Sequence, residues 1–224
     1  MGMLILAALL WLALHLGLAG TRLRDAIVAR IGERGFRGLF SAASVAGIVF
    51  LVASYNAAPT TPLWVAPAWL RWVVLLLMLP AFMLFIASLR GNPTAVGGPG
   101  LAAEPRGIQR VTRHPMLWSF ALWAALHLLA NGDSASLVFF GTFLLTALAG
   151  MPSIDAKLAR RDPAGWAALA GRTSILPFGA ILAGRNRLVL GEIGLVPLFF
   201  GLLLYSGLLH AHAGLFGVSP LPPR

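Results

Sequence analysis

Residues 115–151 read PMLWSFALWAALHLLANGDSASLVFFGTFLLTALAGM, and this stretch decides the fold. Two apolar runs are separated only by Asn131-Gly132-Asp133-Ser134, and Asp133 is the one formal charge in the stretch. Asn-Gly is turn chemistry, and Asp-Ser offers an N-cap to the run that follows. A helix crosses the hydrocarbon core of a bilayer in about 20 mainly apolar residues, with a range near 17–25. The stretch therefore predicts a tight transmembrane hairpin of 115–130 and 135–151. Working outward, segments 2–19, 38–55, 68–90 and 191–213 have the same character. Pro80 and Pro197 interrupt the third and sixth spans, which membrane helices tolerate when neighbours re-satisfy the backbone. The predicted fold class is all-α, a polytopic integral membrane helical bundle of about six transmembrane helices. It forms a single domain over 1–224 without internal repeats.

Composition points the same way. Of 224 residues, 58% are hydrophobic and only 11% charged, and the mean hydropathy is +0.84. Soluble domains carry roughly a quarter charged residues. A water-soluble globule, a disordered chain and a nucleic-acid-binding domain are all excluded. The net charge of +10 has a topological explanation. Segment 20–37 holds Arg22, Arg24, Arg30, Arg34 and Arg37; the third connection holds Arg90, Arg106, Arg110 and Arg113. Segment 152–190 adds Lys157, Arg160, Arg161, Arg172, Arg185 and Arg187, which brings 15 of the 17 basic residues onto alternate connections. The positive-inside rule then places these loops in the cytoplasm and both termini outside. No basic residue precedes the first apolar run, and His15 lies inside it, so a retained helix is expected despite a passable cleavage site at Ala19-Gly20.

Residues 91–113, rich in Gly and Pro, predict an irregular loop. Segment 152–190 predicts two short interfacial helices against membrane lipids, 153–161 and 163–171, the second opened by Asp162 and Pro163. With no cysteine, disulfides, thiolate ligands and iron–sulfur clusters are excluded, and histidine is the strongest remaining axial ligand for haem iron. His15 precedes the cytoplasmic end of the first span by four residues, and His114 opens the fourth span at the same face. The two stand at one depth. They are either hydrogen-bonded packing residues or a ligand pair. His127 lies about 20 Å further along its helix and joins His210 and His212 on the outer side. The first four spans contain no acidic residue at the depth of the pair, which argues against a carboxylate-supported metal site. Arg110-Val111-Thr112-Arg113-His114-Pro115 is the densest polar cluster, readable as a positive-inside anchor or, with Arg106, as a site for a carboxylate or phosphate. Paired carboxylates, a Ser/His/Asp set and HExxH are missing, so hydrolase chemistry has no support.

The strings LHLGLAGTRLRD (14–25), RGIQRVTRHPMLWSFALWAALHLLANGD (106–133), MPSIDAKL (151–158) and GWAALAGRTSILPFGAILAGR (165–185) carry a resemblance. Over nearly its full length the chain resembles the NnrU family of bacterial membrane proteins. That family is similar to 15-cis-zeta-carotene isomerases, integral membrane haem b enzymes. The resemblance implies a haem b with His15 and His114 as metal ligands and with Arg110 and Arg113 binding the cofactor near its propionates. It further implies one-electron chemistry with nitric oxide or a hydrophobic polyene as partner, and a link to nitrite and nitric oxide metabolism. A wider similarity, to isoprenylcysteine and phospholipid methyltransferases, rests on the RHP element with Asp155, Trp166, Arg172 and Pro177. It leaves methyl transfer around Arg113, His114 and Arg172 as an alternative, alongside a non-enzymatic accessory role in a denitrification complex. Catalytic residues, substrate and protein partners are not specified by these patterns.

Overall fold

In the computed structural model the described residues are 1–19, 21–89, 101 and 103–222. The first apolar run forms α1 (Gly2–Leu12), continued by a π-helical segment over Ala13–Leu18. Next come α2 (Arg22–Asn56), α3 (Ala68–Ser88), the short α4 (Ile108–Val111), α5 (Pro115–Ala130) and α6 (Ser134–Arg161). α7 (Pro163–Arg172), two single turns α8 (Gly179–Leu182) and α9 (Leu190–Ile193), and α10 (Val196–Phe216) complete the order. Four helices are long and apolar enough to cross a membrane, α2, α3, α6 and α10, and two shorter apolar ones, 2–18 and 115–130, stand beside them. The chain is an all-α helical membrane bundle.

Neighbours in the bundle follow α10, α3, α5, α6, α1 and α2, with α2 also touching α6. Two apolar centres hold this row. Leu4, Ala7, Ala8, Leu51, Phe139 and Phe140 join α1, α2 and α6, and Val74, Met78, Ala81 and Leu126 join α3 to α5. Leu9, Val45, Leu76 and Phe199 point outward and are largely exposed. Such a surface is costly in water and suited to lipid. Because lipid is as apolar as the core, packing and interhelical hydrogen bonds, more than hydrophobic burial, decide which helices meet. Trp11 Nε1 donates to Thr146 Oγ1 at 3.1 Å, the Tyr55 and Ser136 hydroxyls meet at 2.9 Å, and Tyr205 donates to the Leu75 carbonyl at 3.1 Å.

The 131–134 turn forms as the sequence predicts, with Asp133 capping α6 by accepting from Ser136 N at 2.9 Å. The carbonyl of Gly132 also accepts from the Leu63 and Trp64 amides at 2.7 and 3.1 Å, tying the second connection to the hairpin tip. Asp162 caps α7 likewise, with Pro163 in the first turn.

Three expectations are corrected. Residues 153–161 are no separate helix: α6 runs on through Pro152 to Arg161, since a single missing donor need not end a helix whose side chains stay packed. The sixth span starts at Val196, because Gly194 at φ 71° ends the preceding turn, so Pro197 lies in the first turn of α10 and interrupts nothing. Within the 91–113 loop, 91–100 fall outside the described residues, whereas 108–111 form a helical turn.

One feature of α2 is invisible in the periodicity. Gly32 adopts φ 73°, a region that favours glycine, and the chain bends there. Arg24 consequently reaches Glu33, nine residues on, at 2.6 Å. A straight helix would separate them by about 13 Å along its axis.

Candidate functional site

The N-terminal end of α5 and the C-terminal part of α6 are joined by ions. Arg113 Nη2 donates to Asp155 Oδ2 at 2.6 Å and its Nε lies at 3.0–3.1 Å from both carboxylate oxygens. His114 Nε2 sits 2.7 Å from Asp155 Oδ1. All three side chains are buried, and the Arg113 guanidinium lies 5.1 Å from the Trp166 ring centroid. The geometry follows from local sequence. Pro115 opens α5, so the preceding residues stay outside the helix and are held by the 173–178 segment. Arg113 N donates to Ser174 O at 3.0 Å, Thr112 Oγ1 to Ile175 O at 2.7 Å, and Phe178 N to Val111 O at 2.8 Å. Phe178 takes φ 64°, an unfavourable region for an aromatic residue, and those bonds hold it there.

A carboxylate only accepts, so the proton facing Asp155 is on His114 Nε2, and in the neutral ring the lone pair is on Nδ1. A histidine whose other nitrogen donates to a carboxylate is the usual arrangement around a bound metal. His15 shows the opposite tautomer. Its Nδ1 donates to the Trp11 carbonyl at 3.0 Å, leaving the lone pair on Nε2. The ring stacks on Trp11 at 3.9 Å and meets Phe40 edge-on at 5.3 Å. It lies in the π-helical stretch, a wider coil that recurs at functional sites. In donor chemistry both rings fit an axial ligand.

Sequence reasoning named His15, His114, Arg110 and Arg113. Arg113 and His114 come together on Asp155, whereas His15 sits on α1's extension, which packs against α6 and α2. No hydrogen bond or ring contact among the described residues joins His15 to His114. Arg110 belongs to a separate cluster. Its Nε and Nη2 donate to Glu192 at 2.7 and 2.9 Å, and its Nη1 donates to Asn186 at 2.8 Å. Gly107 N adds a bond to Glu192 at 2.8 Å. These donors hold the Glu192 carboxyl down at about 2 and raise Arg110. Beside them Arg110, Arg172, Arg185, Arg187 and Glu104 line a polar cleft of about 340 Å³. Toward the C-terminal ends of α5 and α10, His127 donates to the Trp123 carbonyl and stacks on Phe140 at 4.6 Å, and His210 and His212 donate to the Ser206 and Val218 carbonyls. No group of three or more His, Asp or Glu is gathered among the described residues.

Asp155 was named only in the wider methyltransferase similarity and left out of the ligand site around His114. Its signal was present, since it is one of only 7 acidic residues and lies at the end of an apolar run. Such a charge needs a partner and marks a site.

Comparison with known proteins bears on this arrangement. The 15-cis-zeta-carotene isomerases of maize and Arabidopsis thaliana are similar to the chain. The maize protein is 28% identical over 83% of this chain and 52% of its own length, and the Arabidopsis protein 30% over 82% and 51%. The chain thus spans about half the length of these curated relatives. No solved structure matches it significantly. Residues 3–220, including the Arg113–His114–Asp155 cluster and His15, match the family described as NnrU protein, and the chain belongs to that family.

Proposed function

We propose that this NnrU-family membrane protein binds haem b between His15 and His114 in the cytoplasmic half of the bundle and uses it for isomerase-like redox chemistry. The hydrophobic substrate would reach the site from the bilayer. In a bacterial inner membrane, with both termini periplasmic, nitric oxide is a second ligand of suitable chemistry, which is how the reading connects to nitrite and nitric oxide metabolism. One observation carries it: each histidine is fixed through one ring nitrogen while the other keeps its lone pair. The isomerase similarity supports it.

When bound, haem b would supply a one-electron couple. The chain's own residues do the rest. Asp155 orients the His114 imidazole through the Nε2 bond, and Arg113 holds the carboxylate in place by its paired hydrogen bonds. Trp11 holds the His15 ring face and fixes its tautomer through its carbonyl. A second reading, methyl transfer to a lipid or prenyl acceptor, is favoured by the arginine-lined cleft beside Arg110 and Arg172.

Absorption spectroscopy separates the two. The protein purified from haem-replete cells should show a Soret band. His15→Ala and His114→Ala should remove or convert it, while His127→Ala, His210→Ala and His212→Ala should leave it intact, each variant being monodisperse. A wild type without Soret absorbance refutes the haem reading. Saturable S-adenosylmethionine binding, lost in Arg172→Ala, would favour methyl transfer.

A further inference from the structure

At the junction of α2 and α6 the cations outnumber the carboxylates that serve them. The bend at Gly32 lays residues 22–31 against the chain that follows, so that Arg24 is only 6% exposed, with its guanidinium 4.8 Å from the Phe36 ring centroid. Its Nη2 donates to Glu33 at 2.6 Å, but its Nη1 is buried without a hydrogen bond among the described residues and has only an ion-pair contact, at 3.5 Å, with the Asp25 carboxylate. Both carboxylates are already engaged by other cations. Glu33 is shared with Arg37 at 3.1 Å, and Asp25 accepts from Arg161 at 2.7 Å. Lys157, one turn before Arg161 on the same face of α6, is half-buried within the field of Arg24, Arg161, Glu33 and Asp25. It has no hydrogen bond or ion pair among the described residues. Four cations thus share two carboxylates, and Arg24 Nη1 and Lys157 Nζ are left without a hydrogen bond among the described residues.

A buried guanidinium N–H without an acceptor is rare, and it points to a group the protein alone does not supply. We infer that Arg24 Nη1 and Lys157 Nζ bind the phosphate of an anionic group at the cytoplasmic boundary of the membrane, a phospholipid headgroup or free phosphate. The chemistry matches: three acceptor oxygens answer a planar guanidinium and an ammonium, and basic pockets between helices on this side select anionic lipid. Arg22 and Arg30 on the same limb and Arg34 just past the bend are exposed and would attract such a surface. The inference is independent of haem.

Native mass spectrometry of the full-length protein, offered equal phosphatidylglycerol and phosphatidylcholine, tests it. One phosphatidylglycerol should be retained in preference, and Lys157→Gln should weaken its retention about tenfold, the scale of one charge-assisted hydrogen bond. Arg24→Gln should do the same, and Arg187→Gln, in the distant cleft, should not. In a parallel arm inorganic phosphate alone is titrated. Phosphate binding lost in Lys157→Gln, with no preference between the lipids, makes free phosphate the occupant. Wild type that prefers neither probe, or Lys157→Gln that retains either like wild type, overturns the inference. If Arg24→Gln does not purify, Lys157→Gln decides, since no internal bond is lost in that variant.

Discussion

Asp155 is the residue on which the site depends, because it neutralises Arg113 and orients His114 where water is nearly absent. Removing one member of a buried ionic cluster leaves the others uncompensated, a loss of about 3–5 kcal/mol. Asp155→Ala should therefore lower stability in detergent unfolding by that amount. Asp155→Asn should cost less, since the amide oxygen still accepts one bond from Arg113. Combined with Arg113→Ala, Asp155→Ala should cost clearly less than the sum of the two single changes, because each removes the same interaction. Additive losses would mean that the two side chains act separately. The same reasoning explains why the ligand site read from the sequence lacked Asp155. Asp155 lies 41 residues from His114, and nothing in either local pattern states that their helices meet. What the sequence does carry is the cost of an unpaired carboxylate in an apolar helix, and that alone called for a cationic partner.

At the scale of elements, the connections are fastened by different means at the two ends of the bundle. At the 131–134 turn the fastening is steric. A Cβ on Gly132 would stand 1.9 Å from the Trp64 carbonyl oxygen, whereas one on Gly141, in mid-α6, would meet nothing within 4 Å. Gly132→Ala should destabilise the hairpin by about 1–3 kcal/mol through overpacking. Gly141→Ala should be neutral or stabilising by up to about 1 kcal/mol. Thermal unfolding of the two variants in one detergent compares them directly. At the other end the fastening is ionic, through Glu192 in α9. Its carboxyl is held at about 2 against an ordinary 4.5 by Arg110 and the Gly107 amide. A depressed carboxylate contributes stability above its unfolded value and loses it as pH falls through its folded value. That contribution should vanish between about pH 4.5 and 2. The fall in unfolding temperature from pH 6 to pH 3 should be smaller in Glu192→Gln than in wild type. An equal fall would remove Glu192 from the account. The spans and both aspartate caps were legible in hydropathy and turn chemistry. The continuation of α6 through Pro152 and the bend at Gly32 were not, because tertiary contacts decide whether a proline or glycine ends a helix.

For the whole molecule, the described contacts divide the chain into two chemically distinct ends. One end collects Arg161 with Asp25, Arg113 with Asp155, Arg110 with Glu192 and Arg172 with Glu104. The other collects uncharged groups around Asp133: the Thr61 amide on the Ser134 hydroxyl, and the Leu63 and Trp64 amides on Gly132. The alternation of basic and neutral connections along the sequence thus corresponds to a spatial division, as an even number of crossings requires. Basic loops resist translocation, so the ion-rich end is expected in the cytoplasm. Reporter fusions at Asn56 and Asn131 and after Arg224 should give periplasmic signals, and fusions at Gly98 and Gly184 cytoplasmic ones. A cytoplasmic signal after Arg224 combined with a periplasmic one at Asn131 would remove α10 from the spans. Because α10 packs on α3 rather than on α5 or α6, that result would leave the cluster around Asp155 intact. An inverted signal at Asn131 is the graver outcome. It would place Asp155 and the fifteen basic residues, Lys157 among them, on the periplasmic side, and the headgroups meeting Arg24 and Lys157 would be those of the opposite leaflet.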